Sequence, residues 1–446
     1  MRVSRSVWRR VRSLTSLAAP VLFTLSGGLR PPLAALAAEP PPAATVTASA
    51  PVVAQVFDLH SCREYAVEHQ PAVAAARAAL TAAQLKAEAL DNLHGLPALL
   101  ARDLPIRRQQ ACLGVEAAQA ELNAAEWDAR YSATYCYLAA LYALEQQRTA
   151  QDILKKPLGL DYLRDTVDTI VKNGSRKDVT EKHKVLVRGY IALVSGRQAE
   201  ADQGYERAIA ALREALNIAP GCPIELADKV LPRSDAVPDR AQVVELAVAR
   251  RGEVALATIA EQVLCLEVDA QGRLLLPSAR TFASGSDIHA RVLPAAQYDP
   301  DYKPGPVGPE MPANLIGSRR ERQDQAGAYH ARGEAVTEKT RNLIALETED
   351  AYLRWAQYDT EAKKLTEAAG GFAEFADAQS QKFDPQTAGY PTVDDVLNAQ
   401  QKATQVRIEA VEARFRRLAV LANLERLTAG AFCSGLEAPV VEKPKQ

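Results

Sequence analysis

The stretch RRQQACLGVEAAQAELNAAEWDARYSATYCYLAALYALEQQRTAQDIL (residues 107–154) decides the fold. It contains no proline, and small or apolar residues recur along it in alternating steps of three and four: Val115, Ala118, Leu122, Ala125, Ala129, Ser132, Cys136, Ala139 and Ala143. This spacing predicts a single long helix whose seam of small side chains lets a neighbouring helix approach closely. At 1.5 Å per residue the helix would reach roughly 70 Å, far more than an ordinary domain helix.

The pattern around this helix occurs twice in the chain. Residues 57–227 and residues 240–430 each read as a short helix, a long helix, a turn and a long helix, joined by a proline-containing linker at residues 228–239. The predicted helices span residues 59–92 with a break at Pro71, 107–154, 160–172, 177–218, 240–271, 318–377 and 392–427. The sequence therefore predicts a mainly α fold built from duplicated long-helix hairpins.

The least helical part of the chain is residues 272–317, which are rich in proline and glycine. Residues 274–282 and 288–293 could pair there as a short β-hairpin, since Ile288, Ala290 and Val292 alternate with polar residues. We expect a small β region in the second repeat.

The N-terminal residues have the parts of an export signal. Residues 1–38 combine six arginines with an apolar stretch, Leu14 to Leu25, and end in the small-x-small pattern Ala35-Leu36-Ala37. A signal peptide is predicted at residues 1–38, followed by a Pro/Ala-rich lead-in at residues 39–56; residues 431–446 form a C-terminal tail. A membrane anchor is the alternative, for which this apolar stretch is short.

Several function classes are disfavoured by composition. The formal charge of −2 belongs to a chain with no basic face typical of nucleic-acid binders, so we predict no nucleic-acid partner. No phosphate-binding loop or catalytic constellation is recognisable, so we predict a protein that is not an enzyme and uses no cofactor. The six histidines lack spaced carboxylate or cysteine partners in the sequence, so no metal site is predicted. The six cysteines are scattered, which favours isolated thiols over disulfides.

Three segments resemble the TolC-type outer-membrane efflux proteins. The phrase LHSCREYAVEHQPAVAAARAALTAAQ (residues 59–84) is similar to the family's opening helix, and RYSATYCYLAALYALEQ (residues 130–146) is similar to its long third helix. The stretch GYPTVDDVLNAQQKATQVRIEAVEARFRRLAVLANLERLTAG (residues 389–430) resembles the final helix, in which a glycine and a hydroxyl residue precede the string D-V-L-x-A-Q.

This resemblance implies an α-barrel protomer and a function. The family forms homotrimers whose long helices enclose a periplasmic duct in the cell outer membrane, and it works with a periplasmic adaptor and an inner-membrane pump. The helix turns would meet the adaptor, which makes Gly174, Ser175, Asp178, Gly389, Thr392, Asp395, Val396 and Leu397 candidate contact residues. Helix capping alone by Gly174 and Thr392 is the other interpretation of these turns.

Two acids near the second turn are candidate pore residues. Repeated by threefold symmetry, Asp394 and Asp395 would ring the duct and favour cations. Ordinary solvated acids are the alternative interpretation.

One departure from the family leaves a second function open. A membrane-crossing strand takes about 9–11 residues, and residues 93–105 are too few for a strand pair in the first repeat. A reduced β-hairpin region is therefore expected, and the alternative function is a periplasmic coiled-coil scaffold with the same fold and no membrane pore.

Overall fold

The computed structural model describes residues 55–95, 101–282 and 310–436. The signal peptide predicted at residues 1–38, nearly all of the lead-in, the strand predicted at residues 288–293 and most of the tail lie outside these ranges.

The first half of the described chain begins and ends with a short strand. Between these strands lie five helices, two of them long. In chain order the elements are β1 (Gln55–Phe57), α1 (Leu59–His69), α2 (Pro71–Asp91), α3 (Leu104–Lys155), α4 (Leu160–Asn173), α5 (Glu181–Ala215) and β2 (Ile224–Leu226).

The second half repeats the order of helix lengths. Its elements are α6 (Arg240–Arg250), α7 (Gly252–Arg273), β3 (Ser278–Arg280), β4 (Asn314–Ile316), α8 (Arg319–Lys382) and α9 (Val393–Leu427). Helices of 11, 21, 52 and 35 residues in the first half (α1, α2, α3 and α5) correspond to helices of 11, 22, 64 and 35 residues in the second. The predicted mainly α fold with duplicated long helices is therefore confirmed.

The helix ends follow local signals in the sequence. Asp58 caps α1 through the backbone N–H of Ser61, and Pro71 occupies the first turn of α2, where its missing N–H costs nothing. Ser318 and Glu321 form a reciprocal capping box at the start of α8. These signals explain why the observed bounds lie within a few residues of the predicted ones.

The predicted single helix over residues 240–271 was wrong, because the chain breaks at Arg251. Arg251 has an extended backbone (φ −69°, ψ 135°), and the next residue starts α7. A Cβ atom on Gly252 would lie 2.9 Å from the carbonyl oxygen of Ala120, so α7 begins where it touches α3. The buried Arg251 side chain pairs with Glu253 and Glu347, which fixes the bend.

Two strand pairs connect distant parts of the chain. β1 pairs in parallel with β2, with Gln55 opposite Ile224. β3 pairs antiparallel with β4, with Ser278 opposite Ile316. A strand therefore forms within residues 274–282, as predicted for the hairpin. The partner strand that the structure describes for it is residues 314–316.

Helix α3 lies at the centre of the packing and contacts α1, α2, α5, α7 and α9. Its fully buried Tyr137 and Leu138 belong to a core cluster shared with α1, α5 and α9. The Tyr137 hydroxyl donates to the Asp228 carboxylate at 2.6 Å, so the first residues after β2 are held against α3.

All six cysteines are free thiols; Cys62 is buried, whereas Cys112, Cys265 and Cys433 are exposed. Burial raises the pKa of the Cys62 thiol to about 12 and that of Cys136 to about 11, so both stay protonated at neutral pH. Among the described helices, none combines the length and the apolar character needed to cross a membrane.

Candidate functional site

The turn between α4 and α5 contains the first group of predicted contact residues. Gly174 has a left-handed backbone (φ 62°), and its N–H donates to the carbonyl oxygen of Ile170, so it caps α4. The N–H of Ser175 reaches the same oxygen at 3.3 Å. Gly174, Ser175 and Asp178 are all exposed, so the surface of this turn is accessible.

A residue that the sequence did not single out joins this turn to the next one. The buried Arg176 donates from Nη1 to the carbonyl oxygen of Asp384 at 2.6 Å, and its guanidinium stacks over the Phe383 ring, 5.2 Å from the centroid. It also pairs with Asp178 through two hydrogen bonds, which lower the pKa of that carboxyl. Arg176 therefore holds the α4–α5 turn against the α8–α9 turn.

The turn between α8 and α9 contains the second group. The Asp395 N–H donates to Thr392 Oγ1 at 3.2 Å, and the Asp395 carboxylate accepts from the Thr392 N–H at 2.9 Å. This capping box lowers the pKa of Asp395, chiefly through the Thr392 hydroxyl. Gly389 is exposed with open space around it, and the neighbouring Tyr390 ring is 74% exposed.

Val396 and Leu397 do not lie on the surface of the turn. Both are buried in an apolar cluster formed by the last turn of α3, by α4, by the first half of α5 and by the start of α9. Their packing stabilises the turn, and neither side chain is available to a partner. This cluster and the two turns together are named the turn end.

The two predicted pore acids have different surroundings. The Asp395 carboxylate is occupied by the capping box. The Asp394 side chain is about half exposed and lies 3.7 Å from His183 Nε2 and 3.8 Å from Lys182 Nζ, both on the first turn of α5. Asp394 is thus the acid of the pair that remains available to solvent and ions.

A buried network of charged and amide side chains lies at the start of α3 and the start of α8, away from the two turns. Glu267 of α7 is fully buried and pairs with Arg107 of α3, while Gln110 and Gln271 donate to it at 3.0 and 2.7 Å. Arg322 of α8 continues the network by donating to Gln271 Oε1 at 3.1 Å.

The same network holds the strands next to it. Arg107 donates to the carbonyl oxygen of Arg280, and the N–H of Phe282 donates to Glu267, each at 3.3 Å. This region, with β3 and β4, is called the strand end below. Its charges were not predicted as a cluster, because its members come from three distant helices.

One group of side chains contradicts the expectation that no histidine has spaced carboxylate partners. His330 and Glu334 stand four residues apart on α8, and Glu261 of α7 faces them; one ligand atom from each lies within 4.8 Å of the others. The His-x-x-x-Glu spacing was present in the sequence, and the third residue is contributed by the packing of α7 on α8.

Comparisons with solved structures identify the fold. The open state of the Neisseria gonorrhoeae MtrE outer membrane channel matches with a TM-score of 0.61 and 14% identity over 85% of this chain and 90% of that one. The Vibrio cholerae outer membrane protein VceC gives 0.60 and 16% over 84% and 97%, and a Pseudomonas aeruginosa membrane protein gives 0.62 and 15% over 83% and 93%. No protein-family model and no curated protein matches the sequence.

These matches span nearly the whole of each neighbour at low sequence identity. What the chain shares with them is therefore the arrangement of its helices. The resemblance to TolC-type outer-membrane efflux proteins is confirmed at the level of the fold.

Proposed function

From the premise that the chain has the fold of TolC-type outer-membrane channels, we propose that it is a channel subunit of the outer membrane, exported by the signal peptide at residues 1–38. The observation that supports this is the structural match over more than four fifths of the chain to outer membrane channels. Three copies would place their long helices side by side around a water-filled duct. Such a subunit performs no chemistry of its own.

The proposed partners are a periplasmic adaptor and an inner-membrane pump. The exposed residues of the two turns, Gly174, Ser175, Asp178, Gly389 and Thr392, would form the adaptor surface. Val396 and Leu397 would contribute indirectly by holding the turn in shape, because both are buried.

Cell fractionation tests the location and assembly of the protein. The expected result is a protein in the outer-membrane fraction that, extracted in detergent, has three times the mass of one mature chain by light scattering. A soluble periplasmic monomer would contradict the channel and support the scaffold. The short connection between α2 and α3, residues 92–103, is the observation that favours this second function.

Photo-crosslinking tests the adaptor surface. A photoreactive amino acid at Ser175 or Gly389 should capture a periplasmic partner in cells, whereas the same group at Leu275, which is 70% exposed near the strand end, should not. Equal capture at all three positions, or none at either turn, would contradict the assignment of the turns.

The proposed pore acids are tested by conductance. Replacing Asp394 with Asn should lower the preference for cations in a planar bilayer, because the ring would lose three charges. Glu225→Gln, which removes an exposed acid on β2 away from the two turns, is the matched control. Unchanged selectivity in the Asp394 variant would show that these are ordinary solvated acids.

A further inference from the structure

Glu261, His330 and Glu334 have the composition of a metal-ligand set. Imidazole nitrogen together with two carboxylates suits divalent ions such as Zn²⁺, which binds His and Glu at about 2.0–2.2 Å. Ligand atoms around such an ion stand about 3.4 Å apart in a tetrahedron. The three atoms here lie within 4.8 Å of one another, so a small rotation of the exposed Glu334 side chain closes the set.

The backbone beneath these side chains is fixed by tight packing. A Cβ atom on Gly333 would lie 2.8 Å from Leu264 Cδ1 and 3.5 Å from the Glu261 Cα atom, so α7 and α8 are in close contact between His330 and Glu334. One helical turn further on, the buried Thr337 hydroxyl lies 3.2 Å from the carbonyl oxygen of Ala257. The separation between Glu261 and the two α8 ligands is therefore set by the fold.

The three side chains are not engaged elsewhere. Within residues 55–95, 101–282 and 310–436, none of them forms a hydrogen bond or an ion pair, in contrast to the buried acids Glu267 and Glu347. Two carboxylates on facing helices repel one another when both are charged. A divalent cation would remove that repulsion and use all three ligand atoms.

We propose that Glu261, His330 and Glu334 bind one divalent transition-metal ion, of the Zn²⁺ type, with water completing its coordination. The ion would join α7 to α8 on the part of the second half nearer the strand end. The proposed channel function does not require this ion. The site would add a metal-dependent contact between α7 and α8.

Calorimetric titration of the purified, tag-free full-length mature protein with Zn²⁺, and with Co²⁺ followed by visible absorption, tests this proposal. We expect one ion per chain and a Co²⁺ spectrum typical of nitrogen and oxygen ligands. His330→Ala should weaken Zn²⁺ binding at least ~10-fold, because substitution of a residue that only hydrogen-bonds to a metal ligand already lowers metal affinity by that factor. Glu334→Gln should do the same, and because Glu334 is exposed its loss leaves folding unaffected.

The exposed His94 provides the matched control, since it follows α2 in the first half and is not one of the three proposed ligands. His94→Ala should bind Zn²⁺ as the unsubstituted protein does. Absence of binding at about 1 mM Zn²⁺, or equal affinity in the His330, Glu334 and control variants, would overturn the proposal. Loss of membrane location or of trimers would leave it standing, which separates it from the proposed channel function.

Discussion

At the strand end, the Glu267 carboxylate lies fully inside the protein and accepts hydrogen bonds from side chains of two helices and from the backbone next to β3. At the turn end, the acids Asp178 and Asp395 are at least partly exposed, and each is bonded to a residue two or three positions away. Between the two turns, the buried Arg176 donates to the Asp384 carbonyl oxygen, and the half-exposed Asp394 lies near Lys182 and His183. The strand end is thus held by long-range buried charges, and the turn end mainly by local capping.

The helical glycines differ in the same way. On α7 and α8, an added Cβ atom on Gly252, Gly272 or Gly333 would come within 3.0 Å of a neighbouring helix, whereas on Gly327 of α8 it would meet nothing within 4 Å. Towards the turn end, the same atom on Gly189, Gly196, Gly370 or Gly371 would also meet nothing within 4 Å. The comparison indicates that α7 is closely packed on its neighbours at particular positions, whereas the glycines towards the turn end lie on open helix faces.

The largest expected effect follows from removing the centre of the strand-end network. Glu267→Ala leaves Arg107 without its buried partner and Gln271 Nε2 without its acceptor, and it removes one of the two acceptors of Gln110, so we expect the free energy of unfolding to fall by about 3–5 kcal/mol. Chemical denaturation measures this loss. The exposed Arg416–Glu412 pair gives the control, since Glu412→Ala should cost less than about 0.5 kcal/mol. Equal losses in the two variants would remove the distinction between the ends.

Arg176→Ala tests the buried contact that joins the two turns. The side chain is 1% exposed, and its loss leaves the Asp384 carbonyl without this donor, so we expect about 2 kcal/mol of local destabilisation. Amide exchange in α4 and the first turns of α9 should become ~30-fold faster, with little change in α7. Arg188→Ala, which removes an exposed pair with Asp168, should change exchange little. Faster exchange in α7 after Arg176→Ala would mean that the two ends are coupled.

The glycine difference predicts effects of opposite sign. Gly333→Ala should destabilise the protein by about 1 kcal/mol, because the overlap with Leu264 outweighs the gain in helix propensity. Gly196→Ala should stabilise an isolated chain by about 0.5–1 kcal/mol, since the added methyl group meets open space. Thermal unfolding followed by circular dichroism compares the two. The same sign in both would show that packing does not differ between these two glycine sites.

The smallest expected effect concerns acid sensitivity of the turn end. The folded-state pKa values of Asp178 and Asp395 are lowered, so their contribution is complete above the ordinary aspartate value of about 4 and is lost as the pH falls through the lowered values. Thr392→Ala should cost about 0.5–1 kcal/mol at pH 7.

The cost of Thr392→Ala should shrink between pH 7 and a strongly acid pH below the lowered pKa of Asp395, because protonation of Asp395 weakens the same capping box. Melting curves at both pH values measure this difference. Val185→Ala, a change at an exposed position on α5 without a charge or a cap, is the control. If the effect of Thr392→Ala does not depend on pH, the hydrogen bonds of the capping box are not the cause of the lowered pKa of Asp395.

The sequence predicted the parts of this comparison that depend on near neighbours. Helix periodicity, Pro71 and the Thr392–Asp395 spacing are local signals, so the helices and the α9 cap could be predicted closely. The break at Arg251 was missed because it depends on where Gly252 meets α3. Arg176 and Glu261 were missed for the same reason, since their partners lie on elements far away in the chain.

The pairing of β1 with β2 has a consequence for the two ends of the first half. Because Gln55 lies in register with Ile224, the start and end of that half lie about one strand spacing, ~4.8 Å, apart. The chain therefore leaves the first half beside the point at which it entered. The junction between the two halves is thereby anchored next to the segment that precedes the first helix.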